Sequence, residues 1–346
     1  MDSNSGPSLS ILICTYQRPK SLMRCLETLE REFHGWKKEF LIILNGEEPK
    51  SSELLRSQFK QNSEYSLFEN KQRLPNGLAR NVLIENAKGS YLFFIDDDAF
   101  LPIGYGESLK KILTLHPDIE IFGGPDQTPP HASLFQTQVG TALSHPLATG
   151  FTKSRHSLDH SLSGRSVSEK NLTLCNLWVK RTLFKKIPIR FHSSLRRNEE
   201  NLLLGELVQL GTQMFYFSNL FLYHERKNSL WALGQQQYKS GLCRFQSAYL
   251  SHEMFHPFFT LPLFSLTLWL LSILISLNLF TALLLVYIAS LCGPFFTSPR
   301  KGRLLLFLIF PMIHLSYAFG SFIGIFTGLA LFFKPLEFLS RKRVRS

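Results

Sequence analysis

Three consecutive carboxylates, Asp96, Asp97 and Asp98, follow the wholly apolar stretch 91–95. Like charges at this spacing raise one another's pKa and are costly without a compensating partner. The natural partner is a hard divalent cation, Mg²⁺ or Mn²⁺, bound to a diphosphate, because such ions prefer oxygen ligands and are often held by only one or two carboxylates. If the extended backbone runs on through the triplet, Asp96 and Asp98 fall on one side and Asp97 on the other. Asp96 and Asp98 are then the better pair. The alternative is a solvated acidic turn, and the apolar strand before it argues against that. A second acidic pair, Glu199-Glu200, opens a stretch with apolar Leu202, Leu203, Leu207 and Leu210 that ends at Gly211. That pattern predicts a helix over 199–211, and acidic residues favour a helix N-terminus whatever else they do.

The elements that must hold the triplet can be read from the apolar runs. Residues 9–15 read as a buried strand, broken by Arg18-Pro19, with Ser21 as the cap of a helix from 22 to about 33. Residues 40–44 are a second strand ended by Asn45-Gly46, followed by a helix near 52–61 and a third strand at 65–69. A helix over 76–87 then leads into the strand at 91–95. Strand, helix, strand, helix, strand is the order of a parallel sheet with helices on its faces, in which ligands bind beyond the carboxyl ends of the strands. Three polar clusters occur at those ends: Thr15-Tyr16-Gln17-Arg18, Asn45-Gly46 and the Asp triplet. Further strands are expected at 119–122, 171–179, 213–217 and 220–224, and helices near 133–143 and over 229–250. Residues 126–169 are rich in Ser, His, Pro and Thr, and are expected to be loop-rich.

The chain has 346 residues and a formal net charge of +12. Residues 1–253 are mixed and charged, whereas 254–299 and 304–333 contain no Asp, Glu, Lys or Arg. The first of these runs would be about 69 Å long as a helix, and a bilayer core is ~30 Å thick, so it suits two crossings. Helices are expected at about 258–276 and 279–296, with the turn near 276–278. Residues 304–333 are too long for a simple crossing, and Pro311 is expected to kink or break them into a re-entrant or interfacial pair. Gly320, Gly324 and Gly328 form a stripe suited to close helix contact. Basic residues flank these runs at Arg300, Lys301 and Arg303 and again at Arg341, Lys342, Arg343 and Arg345. They fit the positive-inside rule and attraction to anionic lipid better than nucleic-acid binding. The opening residues lack a basic n-region, so the charged half is expected in the cytoplasm. Five scattered cysteines with no Cys-x-x-Cys pair fit reduced thiols rather than zinc or redox chemistry.

The motifs Ile11-Leu-Ile-Cys-Thr-Tyr-Gln-Arg-Pro19, Gly77-Leu-Ala-Arg-Asn81 and Phe94-Ile-Asp-Asp-Asp98 resemble those of family-2 glycosyltransferases of the GT-A fold. The resemblance continues through 171–184, Asn198-Glu-Glu-Asn201 and Tyr223-His224, and spans roughly residues 9–245. Membrane-anchored bacterial members that build surface polysaccharides are the nearest likeness, on Gly123-Gly-Pro-Asp-Gln-Thr-Pro-Pro130 and His314-Leu-Ser-Tyr-Ala-Phe-Gly320. The resemblance implies that Asp96 and Asp97 lie near the ribose and nucleotide and that Asp98 binds Mn²⁺ or Mg²⁺ on the diphosphate, with Asp96 and His224 helping to hold the metal. Thr15, Tyr16 and Arg18 would line the nucleotide pocket, with Arg80 and Asn81 beneath the nucleotide or donor sugar. The second strand of the family often ends in an acidic residue that reads the base; here Asn45 is nearest and can bond a pyrimidine edge. The family's Glu-Asp pair is Glu199-Glu200 here, with Glu200 at the position of the general base and Glu199 as the alternative.

The expected architecture is therefore α/β: a GT-A, Rossmann-like, mostly parallel catalytic domain over 9–252, after a flexible tail at 1–8. A helical membrane region over 253–333 and a basic tail at 334–346 follow. The expected reaction is an inverting, metal-dependent transfer of a sugar from a nucleotide-diphosphate sugar, a UDP-sugar first, to a lipid-linked or membrane-proximal glycan acceptor. The expected location is the bacterial inner membrane. Two alternatives remain open. A nucleotidyltransferase would often carry a glycine-rich phosphate loop after its first strand, and residues 15–20 contain no glycine. A non-catalytic membrane scaffold would have no need of the acidic clusters. The segment 235–238 with Lys239 and Arg244 either touches a diphosphate-lipid acceptor or lies as an amphipathic helix on the membrane.

Overall fold

A computed structural model of the protein describes residues 7–47, 49–59, 62–186, 190–251 and 255–332. The expected tails fall largely outside the described residues: 1–6 of the first, and all of 334–346, including Arg341–Arg345. Ser8 is tied down, its carbonyl accepting from the amides of Ser90 and Tyr91.

The expected succession of strands and helices is present. It runs β1 (Leu9–Thr15), α1 (Pro19–Glu32), β2 (Lys38–Asn45), α2 (Pro49–Phe59), β3 (Tyr65–Asn70), α3 (Asn76–Asn86) and β4 (Tyr91–Asp96). β5 (Ala99–Phe100), α4 (Tyr105–Leu115), β6 (Ile121–Gly123) and β7 (Asp126–Gln127) come next. α1 starts three residues earlier than the sequence suggests. Pro19 sits in its first turn, where a missing N–H breaks no bond and the fixed φ is already helical. That start leaves Arg18 at the N-cap.

The loop-rich region contains α5 (Leu134–Leu143), capped by Ser133 and Gln136 in a capping box, the short α6 (Pro146–Thr149) and the edge strand β8 (Arg165–Val167). The expected strand over 171–179 is mostly two 3-10 turns, and only β9 (Leu177–Lys180) is extended. One reason is Asn176, whose side-chain amide is spent on the carbonyls of Pro125 and Leu220 rather than facing a pleated surface. α7 (Arg181–Lys186), α8 (Glu199–Gln209), β10 (Met214–Tyr216) and β11 (Leu222–His224) complete the domain.

The main sheet has the order β3-β2-β1-β4-β9-β6-β10-β8. Its strands run parallel except β9 and β8. The inner strands alternate between two cores. Ile11, Ile13, Phe93 and Ile95 pack with α1 and Trp178 on one face; Leu12, Leu92 and Phe94 pack with Leu83 and Leu203 on the other. Each such side chain fully buried contributes roughly 1.5–3 kcal/mol. A small second sheet, β5-β11-β7, stands at the carboxyl end of β4.

α9 (Leu230–Leu250) leads from this domain to three apolar helical spans: 257–275, which includes α10 (Leu261–Ile275); 277–297, which holds α11 (Leu277–Ser290) and α12 (Cys292–Thr297); and 303–330, most of it in α13 (Leu306–Phe332). Each is long and apolar enough to cross a membrane. The expected break at Pro311 does not occur, and α13 runs through it. Its neighbours compensate for the one lost backbone bond, because α13 is packed along α9 and against α5 and α10. The glycine stripe explains how close α9 comes: a Cβ on Gly320 would overlap the Tyr238 carbonyl oxygen, and one on Gly328 the Tyr249 ring.

Candidate functional site

The site forms where β1, β4 and the small sheet meet. Pairing β1 with β4 places Cys14 opposite Asp96, so Thr15 stands beside Asp97. The Thr15 hydroxyl donates to Asp97 Oδ2 at 2.7 Å, and Arg18 Nη1 spans Asp97 at 3.0 Å and Asp98 at 2.7 Å. Asp97 is buried, although the strand does not run on through the triplet: β4 ends at Asp96, and Asp97 and Asp98 form a turn. Burial and the neighbouring Asp98 charge raise its carboxyl to about 6, against the pull of Arg18 and Thr15.

Asp96 and Asp98 face the opening. Asp98 Oδ1 lies 3.1 Å from His224 Nε2, because β11 pairs with β5 directly after the triplet. Burial alone would raise Asp98, but His224 and Arg18 hold it below the ordinary carboxylate range. Burial opposes a charge on His224, yet the carboxylates of Asp98 and Asp126 keep it well above the ordinary imidazole value. Asp96 Oδ1 accepts from Arg80 Nη2 at 3.0 Å, and Arg80 Nη1 donates to Glu199 Oε1 at 2.7 Å. One buried guanidinium thus links the triplet to the second acidic pair across the cleft.

Both glutamates are buried at the start of α8. Asn198 before them has φ 59° and donates to the Ser240 carbonyl at 3.1 Å, which ties the start of α8 to α9. Asparagine tolerates that left-handed backbone better than most residues. Burial raises the Glu199 carboxyl, opposed by Arg80. Glu200 meets Arg155 Nη1 at a looser 3.4 Å. Arg155 is anchored by the carbonyls of Glu169 and Lys170 and by Asn201.

Two residues expected in the nucleotide pocket are fastened to backbone. The Asn45 side chain is closed on the backbone of Leu74, donating to its carbonyl and accepting from its amide, each at 2.9 Å. The Asn81 side chain does the same with Phe191. Each amide thus spends a donor and an acceptor on holding a loop. Tyr16 packs on Gly46 and stacks under the Arg73 guanidinium, 4.3 Å from its ring centre.

Several residues of the site have no role in the sequence reading. Asp126 on β7 accepts from Arg226 at 2.7 Å, lies 2.6 Å from His156 Nδ1, and lies 3.4 Å from the second ring nitrogen of His224. The sequence quoted Asp126 within a motif, but nothing in a linear pattern brings it behind His224. Arg155 sits in the stretch without periodicity, where no signal was available.

Two groups have metal-ligand geometry among the described residues, and both use His224. Asp96, Asp98 and His224 offer two carboxylate oxygens and a nitrogen within 4.8 Å of one another. That set suits Mn²⁺ or Mg²⁺. Asp126, Cys175 and His224 fit less well: Asp126 is already paired with Arg226, and burial raises the Cys175 thiol to about 11, leaving it protonated.

A single cavity of about 470 Å³ opens from this chemistry toward the apolar helices. Asp96, His224, Glu199 and Glu200 line one end, and Leu266 and Trp269 of α10 line the other.

Residues 10–135 match the profile described as Glycosyl transferase family 2. The chain carries a glycosyltransferase family 2 domain. That match ends in the first turn of α5, so α8, β11 and the apolar helices of the cavity lie beyond it. An uncharacterized glycosyltransferase of Methanocaldococcus jannaschii is 28% identical over 100 residues, covering 28% of this chain and 34% of that protein. The chain thus spans about a third of the length of this curated relative. Among solved structures, the mannosyltransferase PcManGT from Pyrobaculum calidifontis, in complex with GDP-Man and Mn²⁺, superposes with a TM-score of 0.56. The identity is 12%, covering 96% of this chain and 88% of that one. S. aureus TarS 1-349 in complex with UDP-GlcNAc gives 0.50 at 12% identity, covering 91% of this chain and 90% of the other. At these identities the likeness is one of fold, and the fold is GT-A-like.

Proposed function

We propose that the protein is a metal-dependent, inverting glycosyltransferase that moves a sugar from a nucleotide-diphosphate donor to a lipid-linked or membrane-proximal glycan acceptor. The observation that carries this reading is the cavity, which joins the carboxylates of a family 2 domain to helices apolar enough to span a bilayer. The neighbouring structures hold GDP-Man with Mn²⁺ and UDP-GlcNAc, which supports a nucleoside diphosphate sugar as donor.

In the proposed mechanism Asp96, Asp98 and His224 would hold a divalent ion, whose chemistry there would be to neutralise charge on the departing diphosphate. Arg18 keeps Asp98 oriented, and Thr15 with Arg18 fixes Asp97 behind it. Glu199 is committed to Arg80 and through it to Asp96, a brace on the donor side. Glu200 has two looser contacts, from Arg155 Nη1 and Asn201 Nδ2, each at 3.4 Å, and is the residue assigned as general base. It takes the proton of the acceptor hydroxyl while that oxygen attacks the anomeric carbon from the face opposite the leaving diphosphate, which inverts the configuration. Asn45 and Asn81 support the loops of the nucleotide pocket instead of touching the nucleotide.

The same reading places the catalytic domain on the cytoplasmic face of a bacterial inner membrane, with α10 and α11 as a crossing hairpin. α13 lies along α9, which carries Lys239 and Arg244. Drawing those cations into hydrocarbon would be costly, so α9 and α13 belong to the interface. The test is to incubate the purified chain with Mn²⁺ and a panel of nucleotide sugars and follow nucleoside diphosphate release. Release that depends on both Mn²⁺ and acceptor, giving a product of inverted anomeric configuration, is expected. Release of pyrophosphate, or no nucleoside diphosphate binding at all, would overturn it.

A further inference from the structure

Four arginines are buried among the described residues: Arg80, Arg155, Arg226 and Arg244. Three have carboxylate partners: Arg80 with Glu199 and Asp96, Arg155 with Glu200, and Arg226 with Asp126. Arg244, on α9, is 7% exposed and has no carboxylate within ion-pairing distance among the described residues. Its guanidinium stacks 4.3 Å from the centre of the Phe259 ring and stands beside the Tyr317 hydroxyl. That hydroxyl is itself buried with no hydrogen-bond partner at bonding distance. Stacking on a ring leaves the five N–H donors of a guanidinium unanswered, and a buried charge without a counter-ion is costly. Both groups line the cavity, so the unanswered donors face space that a ligand can enter. Three more cations line the same cavity with no carboxylate within ion-pairing distance among the described residues: Arg196 and Arg197 before α8 and Lys227 after β11.

We propose that Arg244, with the Tyr317 hydroxyl and flanked by Arg197 and Lys227, binds the phosphate or diphosphate that joins the acceptor glycan to a long-chain membrane lipid. This rests on the reading of the chain as a transferase with a lipid-linked acceptor, and assigns the residues that recognise it. Position separates this anion from the donor's diphosphate. The donor's place is at Asp96, Asp98 and His224, whereas Arg244 shares its wall of the cavity with Phe258, Phe259, Leu266 and Trp269. An anionic head with an apolar tail matches a cationic neck that opens onto apolar helices. Arg155 is drawn below the ordinary arginine range, first by burial and further by Arg244, against the pull of Glu200. The lipid's phosphate would therefore sit one side chain from the assigned base, where the attached acceptor glycan can reach it. The two cations of α9 thus part company: Arg244 is buried at the cavity, whereas Lys239 is exposed and free to meet the membrane surface.

The experiment uses the full-length chain in detergent, with farnesyl diphosphate as the probe, farnesol as the uncharged control and inorganic pyrophosphate as the free anion. Thermal unfolding and titration of Trp fluorescence report binding. Farnesyl diphosphate is expected to stabilise the wild-type chain, and farnesol and pyrophosphate to do so far less. Arg244→Gln is expected to weaken farnesyl diphosphate by roughly 10- to 100-fold, the range of a lost charge-assisted hydrogen bond or two. UDP and GDP binding with Mn²⁺ should be unchanged. Tyr317→Phe, which removes one oxygen, is expected to weaken the probe less and serves if Arg244→Gln does not fold. Equal binding of the probe by wild type and both variants overturns the proposal, as does no binding by the wild type. Pyrophosphate binding as tightly as farnesyl diphosphate overturns the lipid assignment. Loss of nucleotide binding in Arg244→Gln reassigns the residue to the donor. Failure of the transferase reading itself has a different signature: the wild type binds the probe but no nucleoside diphosphate.

Discussion

The two glutamates at the start of α8 differ in what each is bound to, and that makes their roles separable. Glu199 neutralises a buried arginine at 2.7 Å, so Glu199→Gln leaves Arg80 short of a charge. The expected result is a loss of stability of about 3–5 kcal/mol, the usual cost of breaking a buried pair from one side, measured by denaturant unfolding of the detergent-solubilised chain. Glu200→Gln alters only two long contacts, from Arg155 and Asn201, each at 3.4 Å. It is expected to unfold like wild type while kcat falls roughly 10²- to 10⁴-fold, the range for losing a general base, with donor affinity intact. The reverse pattern would move the base to Glu199. Asp98 is tested through binding rather than turnover. Asp98→Asn removes a carboxylate oxygen from the set with Asp96 and His224. The variant is expected to lose most of its Mn²⁺ affinity, read by the electron paramagnetic resonance signal of free Mn²⁺ in a titration. Unchanged affinity would place the ion elsewhere.

Among the elements, the α9–α13 pair carries the most consequence, because it forms the wall that Arg244 and Tyr317 share. The contact depends on missing side chains: a Cβ on Gly324 would stand 2.5 Å from the Leu242 carbonyl oxygen, and one on Gly241 would overlap that of Tyr317. Those atoms belong to helix backbone and cannot turn aside. Gly324→Leu is therefore expected to push the helices apart and to cost at least the 1–3 kcal/mol typical of overpacking. Thermal unfolding in detergent measures it, and a melting temperature equal to wild type would show that the helices do not touch there. α8 is held to the same wall through Asn198 and Ser240. The same variant should thus lower transfer activity even though no residue of the acidic clusters is altered.

For the molecule as a whole, the fastening of the apolar hairpin fixes which of its ends share a side. Phe258, before α10, packs on Gly150 of the catalytic domain. After α12 the chain returns to the same domain, where Gln138 Nε2 donates to the Lys301 carbonyl at 2.8 Å and Gly302 lies against Leu134. The turn at Ser276 is then the far end. Leu270, Leu274, Leu277 and Val286, on the two helices that meet there, are exposed and are suited to face lipid rather than water. In a chain with Cys292 replaced by Ser, a cysteine at Ser276 is expected to react with a membrane-impermeant maleimide from the side opposite the catalytic domain. A cysteine at Arg300 is expected to react from the same side as that domain. Labelling of both from one side would mean that the hairpin lies in the interface.

The sequence by itself determined what local physics controls. The alternation of apolar strands and helices, the carboxylates at the end of β4 and the two uncharged runs are all set by side-chain period and composition, which neighbours in the chain decide. The pleat was expected to run through the triplet, but the chain turns at Asp97 and Asp98, and Asp97 is held by Thr15 and Arg18 instead. The tertiary structure decided what depends on distant residues meeting. Asn45 and Asn81 looked like ligands because of where they stand in their motifs, but loops 29 and 110 residues away took up their amides. Pro311 was expected to break its helix, and packing along α9 kept it whole. Asp126 and Arg155 came to the site through a small sheet and an aperiodic loop that no linear pattern announces. Arg244 was visible in the sequence as one more cation near the membrane. Only the fold buried it, as it buried three paired arginines, and left it with no carboxylate partner among the described residues, because burial and pairing are properties of position in space.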